Sequence, residues 1–204
     1  KLSTYPHLVK EWHPTKNGEF NPKDFTHGSH TKVWWKCPKG DDHEWHAQIN
    51  SRVNGRGCPF CSGHEVSQSN SFLMRCPIIA AEWHPTKNGV LKPAQFTFGA
   101  NKKVWWKCPK GDDHEWESII GDRSRGHGCP FCSGQSVSKL NSFLARHPKI
   151  ATEWHPTKNG VLKPEHFTSG SQKKVWWNCP KGNDHEYQQM IKHKSKGIGC
   201  PFCS

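Results

Sequence analysis

The sequence predicts three tandem modules, each small and β-rich, with short helices and a core that apolar burial alone does not hold. Three observations lead there. One block of residues recurs at a constant spacing. Hydrophobic residues are only 32% of 204, yet there are 11 Trp and 10 Cys. Val- and Trp-rich stretches stop at clusters of Gly, Pro, Asn and Asp. So little Leu, Ile and Val excludes one large core, and so many aromatics exclude a disordered chain. Small units stapled by a metal or by disulfides are the remaining class.

The spacing carries the most weight. Glu11-Trp12-His13-Pro14-Thr15-Lys16-Asn17-Gly18 returns at Glu82 to Gly89 and at Glu153 to Gly160, 71 residues on each time. Val33-Trp34-Trp35-Lys36-Cys37-Pro38 and Gly57-Cys58-Pro59-Phe60-Cys61-Ser62 return at the same offset. Modules are therefore expected over residues 1–63, 64–134 and 135–204.

Within a module the elements read in order. A Ser/Asn-rich joint (Ser67 to Ser71; Ser136 to Ser142) leads into an apolar segment, where Asn70 or Ser71 is expected to cap a short helix. Pro77 suits the first position of a second helical turn. That helix is expected to stop near His84, which precedes Pro85. Lys87-Asn88-Gly89 is a turn signal. Lys103 to Cys108 reads as a strand. Gly111-Asp112-Asp113 turns the chain, and His114 to Ile120 reads as the hairpin partner. Gly126 to Gly134 reads as a tight knuckle. On the strand, Val33, Trp35 and Cys37 share one face, so Trp35 is expected in the core. Trp34 is expected to pack on Trp12, with stacking on a base as the alternative.

Nine of the ten Cys fall in the repeat, three per module. A disulfide framework would strand one thiol in each. A fourth ligand would complete a tetrahedral zinc site of the Cys₃His type. Two His recur at the offset: His43, His114 and His185, and His13, His84 and His155. The first set is preferred, because it follows a Cys by six positions across a hairpin turn. The expected ligands are Cys37, His43, Cys58 and Cys61; Cys108, His114, Cys129 and Cys132; and Cys179, His185, Cys200 and Cys203. Three zinc ions follow, one per repeat. Gly57, before the Cys pair, is expected to let the backbone wrap close to the metal. An iron–sulfur cluster wants four thiolates, and each module offers three. Cys76 aligns with Tyr5 and His147, so it reads as a packed or surface thiol.

The same cysteines argue for a reducing, intracellular setting. No charged-then-apolar leader follows Lys1, and no run approaches about 18 apolar residues, so neither a signal peptide nor a membrane span is expected. A closed four-ligand site is structural rather than catalytic. Asp42-His43 matches the dipeptide of HNH nucleases, but Asn54 and His64 have no counterparts in the other modules. Glu11, Glu82 and Glu153 are expected to cap or to form ion pairs. No catalysis and no small-molecule substrate are expected.

Trp34-Trp35-Lys36-Cys37-Pro38-Lys39-Gly40 with His43-Glu44-Trp45, then Arg52, Gly55 and Gly57 to Gly63, carries a family resemblance. It resembles a repeated zinc-ribbon or treble-clef domain of unknown function. Such domains occur as tandem arrays in bacterial, algal and large-virus proteins, some joined to endonuclease-fold domains of the Vsr type. The resemblance covers nearly the whole chain. It implies zinc binding in a zinc-ribbon-like or treble-clef module and, by association, nucleic-acid binding. The sequence departs from the pattern at the Asp pair between Gly40 and His43. The third module departs again at Tyr187, which replaces Trp45 and Trp116, and at Lys194, which replaces Arg52 and Arg123.

Lys plus Arg is 29 against 17 Asp plus Glu, a net charge of +12. Each Cys₃His zinc centre lowers that by one, leaving about +9. Variation between the modules concentrates between the His and the Cys pair. A constant scaffold with one variable basic strip suits nucleic acid, DNA ahead of RNA. The contact candidates are Lys36, Lys39, Arg52 and Arg56; Lys107, Lys110, Arg123 and Arg125; and Lys181, Lys192, Lys194 and Lys196. The alternatives are an array for an acidic protein partner, or a targeting segment of a larger nuclease.

Overall fold

The structure, a computed structural model, describes residues 1–203. These fall into two compact units, residues 1–105 with 118–126, and 106–117 with the residues from 127 onward. The first and third repeats each lie whole within one unit.

The first repeat opens with a 3-10 turn, Leu2–Thr4, and the one-turn helix α1, Pro6–Lys10. Another 3-10 turn, Pro22–Asp24, precedes strand β1, Lys32–Lys36. Strand β2, Glu44–Gln48, pairs with it antiparallel, and helix α2, Ile49–Val53, follows without a break. The second repeat holds α3, Phe72–Arg75, α4, Pro77–Ala80, β3, Lys103–Lys107, β4, Glu115–Ile119, and α5, Ile120–Ser124. The third holds α6, Phe143–Arg146, α7, Pro148–Ala151, β5, Lys174–Asn178, β6, Glu186–Met190, and α8, Ile191–Ser195. Among the described residues no helix is long and apolar enough to cross a membrane.

Ser71 and Ser142 cap α3 and α6, each hydroxyl accepting a backbone N–H three residues on. Helix α4 ends at Ala80, short of the expected stop at His84. The reason lies in the hairpin: the His84 N–H donates to the Trp105 carbonyl at 3.1 Å, so this stretch is drawn onto the strand edge. The helices after the hairpins are legible only in hindsight. Each is five residues long and holds one apolar anchor, Ile49, Ile120 or Ile191, fully buried.

The hairpin register places Trp35 opposite Trp45 and Val33 opposite Ala47, on the core face. Val33, Trp35 and Cys37 are buried, as the alternation predicts. The Trp35 indole is satisfied within the core, its Nε1–H donating to the Ala47 carbonyl at 3.1 Å. Trp12 packs edge-on against Trp35, ring centres 5.7 Å apart, and not against Trp34. Backbone pairing explains the correction. Trp12 bridges Trp35 on the outer edge of β1, which puts the two side chains on one face. Trp34 lies on the other face, with its ring centre 5.4 Å from that of His46 and the Lys16 ammonium 4.8 Å above it.

The Trp-His-Pro-Thr-Lys-Asn-Gly block proves to be an edge clamp for the strand. Asn17 Oδ1 accepts the Trp34 N–H at 2.7 Å, and Asn17 Nδ2 donates to the Trp34 carbonyl at 2.9 Å. Asn88 on Trp105 and Asn159 on Trp176 repeat the arrangement. His13 Nδ1 accepts the N–H groups of Thr15 and Lys16 and so shapes the turn. One side-chain amide thus satisfies both backbone groups that an edge strand would leave exposed.

A cation is buried in each repeat. The Arg52 guanidinium pairs with Glu11 and lies over Trp35 and Trp45, 5.3 and 5.1 Å from their centres. Arg123 pairs with Glu82 at 2.5 Å. In the third repeat Lys194 pairs with Glu153 at 2.6 Å and donates to the Tyr187 hydroxyl oxygen at 2.7 Å. Burial pulls the Lys194 pKa down, but the bonds to Glu153 and Tyr187 outweigh it and raise it overall. Tyr187 and Lys194 are therefore one coupled change: the ammonium keeps the ring contacts, 5.6 and 5.4 Å from the centres of Trp177 and Tyr187, and adds a bond to the phenol oxygen. Tyr187→Trp and Lys194→Arg should each destabilise the zinc-loaded chain, and the double variant should recover about 1 kcal/mol or more of the summed loss. Thermal unfolding of all four chains measures this, and strictly additive losses would break the coupling.

Candidate metal centres

Strand β1 ends one residue before Cys37, and β2 begins one residue after His43. The hairpin mouth therefore holds both side chains together. The Cys37 N–H donates to the His43 carbonyl at 3.0 Å and closes the mouth. Helix α2 returns the chain to the same end, where Cys58 and Cys61 stand on the knuckle. The four donor atoms lie within 4.8 Å of one another, as they do in the groups Cys108, His114, Cys129, Cys132 and Cys179, His185, Cys200, Cys203.

The spacings test whether zinc fits. Tetrahedral zinc, with Zn–S near ~2.3 Å and Zn–N near ~2.05 Å, requires S···S of about 3.8 Å and S···N of about 3.6 Å. Cys37 and Cys61 Sγ are 3.7 Å apart, and His43 Nδ1 is 3.8 and 3.5 Å from Cys58 and Cys61 Sγ. The second centre shows 3.7 Å for Cys108–Cys132 and for His114 Nδ1 to either Cys of the pair. In the third, Cys179–Cys203 is 3.7 Å, and His185 Nδ1 is 3.8 and 3.3 Å from Cys200 and Cys203. The three Cys₃His sites suit three zinc ions, one per repeat. When bound, zinc supplies a closed cross-link and the positive charge that three thiolates need. Without it the second thiol of each Cys pair resists ionising: burial pushes Cys61 up to about 12, and Cys132 and Cys203 up to about 11, while the Lys181 backbone N–H lowers Cys179 to about 7.

The preferred histidines join the cysteine groups, and His13, His84 and His155 serve the turns instead. Gly57 is a correction, since a side chain there would meet nothing within 4 Å. The close approach is at Gly40, where a Cβ would fall 2.8 Å from the His43 ring. Gly111 and Gly182 repeat this over His114 and His185 at 2.7 and 2.8 Å. The Phe of Cys-Pro-Phe-Cys covers the other face. Phe60 stacks on His43 at 5.1 Å, Phe131 on His114 at 5.0 Å and Phe202 on His185 at 5.3 Å.

The joint also belongs to the centre. With Nδ1 turned to the thiols, His43 Nε2 lies 3.1 Å from Ser67 Oγ and 3.0 Å from Ser69 Oγ. Asn70 Nδ2 donates to the carbonyls of Phe60 and Glu65, and the Gln68 N–H donates to Asp42. The module boundary expected after residue 63 thus passes between a centre and the serines that orient its histidine. Sequence reading missed these serines, although Ser67, Asn70 and Ser71 recur as Ser138, Asn141 and Ser142. Leu140 replaces Ser69, and His114 Nε2 is buried with no hydrogen-bond partner among the described residues.

This arrangement defines a small structural zinc module: a two-stranded hairpin and a knuckle closing one metal site. A family model described as a probable treble clef zinc finger domain matches residues 8–64, 79–135 and 150–204. The chain belongs to that family. No curated protein matches it.

The twelve candidate contact residues fare unevenly. Arg52, Arg123 and Lys194 are buried and paired with Glu11, Glu82 and Glu153, so they are corrected from surface contacts to core cations. Each was needed to neutralise a carboxylate at the helix end beside the tryptophans. Lys36 and Lys107 pair with Glu44 and Glu115 at 3.1 and 2.9 Å, and Arg125 pairs with Asp122 at 2.5 Å. Lys192 is half-buried. Lys39, Arg56, Lys110, Lys181 and Lys196 stand exposed.

Zinc titration of the metal-free chain should saturate at three ions and acidify a weakly buffered solution at pH 7, because thiol protons are displaced. Replacing Ser67 and Ser69 together by Ala should weaken the first centre about 10-fold or more and leave the others unchanged. Competition against a coloured chelator reads this, and equal affinity before and after would remove the serines from the centre.

Proposed function

We propose that this array is a non-catalytic, zinc-stabilised binder of nucleic acid, with duplex DNA ahead of RNA. The observation that supports it most is a recurring unpaired cation on a chain of net charge +12. Lys39, Lys110 and Lys181 follow the first ligand of each centre, are exposed, and form no ion pair among the described residues. Part of the nearby acid is already paired: Glu44 bonds Lys16, Lys36 and His13, and the lysines hold its carboxyl down to about 2, while Asp41, Asp112 and Asp184 stay exposed. The net balance of +12 is positive, and these exposed lysines repeat along the chain, which is the pattern a polyphosphate backbone attracts.

An acidic protein partner is the second reading. It is favoured by the apolar turns at Val90 and Val161, each 85% exposed. Salt separates the two. Binding of the zinc-loaded chain to random-sequence duplex DNA, and to single-stranded RNA, should weaken linearly in log K against log salt, and the DNA curve should lie tighter. Absence of binding to either polymer at low salt would overturn the nucleic-acid reading and send the search to acidic proteins.

A further inference from the structure

We infer that the phosphate seats of this array are the clefts at the joints between repeats, rather than the strip between each His and its Cys pair. The inference rests on the nucleic-acid reading and gives that reading a location.

Two clefts of about 670 and 570 Å³ follow the first and second metal centres. Each lies within one compact unit. The first is walled by Lys39, by the knuckle at Phe60 to Gly63, by Arg75 of α3, and by Thr97 to Gly99 of the next repeat. The second is walled by the residues 71 positions on, among them Lys110, Phe131, Arg146 and Thr168. Neither lining contains an acidic side chain.

Three of the four cations there have no internal ion pair, and the fourth rests on an aromatic ring. Lys39, Lys110 and Arg146 are exposed and enter no ion pair among the described residues. Arg75 is exposed, and its guanidinium lies 5.2 Å over the Phe98 ring. Around Arg75 the surface drifts between the two joints: Met74 becomes Ala145, Cys76 becomes His147 and Ile78 becomes Lys149. The arginine recurs. The strip contrasts with this, because Arg52, Arg123 and Lys194 spend their charge inside the fold.

The experiment uses the zinc-loaded chain and random-sequence duplex DNA across a salt series. Lys39→Gln with Arg75→Gln, and separately Lys110→Gln with Arg146→Gln, remove one cleft each. Arg56→Gln with Lys192→Gln and Lys196→Gln is the strip comparison. All are outside the metal ligands, and zinc content with far-ultraviolet circular dichroism confirms folding. Each cleft pair should lower the slope of log K against log salt by about 0.9 for every phosphate lost, and the strip variant should leave it unchanged. A loss from the cleft pairs no larger than that from the strip variant overturns the inference and leaves nucleic-acid binding standing. Failure of the unaltered chain to bind DNA at low salt overturns both.

Discussion

Bringing four donor atoms to one point is the constraint on which each repeat is built. A module of this size buries a few aromatics and aliphatics, which leaves it near the margin of independent stability. The hairpin mouth supplies Cys37 and His43, the knuckle supplies Cys58 and Cys61, and helix α2 is the connector that returns one to the other. Gly40 and Phe60 then hold the imidazole from its two faces. Remove the metal and the cross-link that ties the mouth to the knuckle is lost, leaving them little reason to stay together.

The rest of the core is arranged around tryptophan and one buried cation. Trp35 fills the centre of the hairpin, Trp12 leans on it edge-on, and the Glu11–Arg52 pair closes the open side. Burying an ion pair is seldom a net gain over apolar packing, but losing one partner is costly. The third repeat shows how tightly the pair is tied to its surroundings. Exchange of the guanidinium for an ammonium comes with a phenol in place of an indole, and the hydroxyl receives the hydrogen bond.

The joints are structural in a way that linkers usually are not. Ser67 and Ser69 meet the outer nitrogen of the ligand His43, while Ser71, two residues on, caps the first helix of the next repeat. A zinc centre therefore orders the chain that leads into its neighbour. The clefts proposed for phosphate form at these ordered joints, where knuckle, joint and the following loop meet.

The sequence by itself determined the repeat, the hairpin, a cap at Asn70 or Ser71 of which the structure uses Ser71, and the grouping of the twelve Cys and His residues. Those features are local, or depend on spacings that a constant period makes visible. It also showed that Tyr187 and Lys194 depart from their counterparts, without showing that they touch. Only the tertiary structure decided which face Trp12 packs on, because a bridge to the strand edge sets that. It alone revealed Asn17 as an edge clamp, and Gly40 rather than Gly57 as the close approach. It also moved Arg52, Arg123 and Lys194 from surface to core. A basic residue in a variable segment looks solvated in sequence. Whether it stays so depends on a carboxylate 41 residues earlier, a partner no local pattern announces.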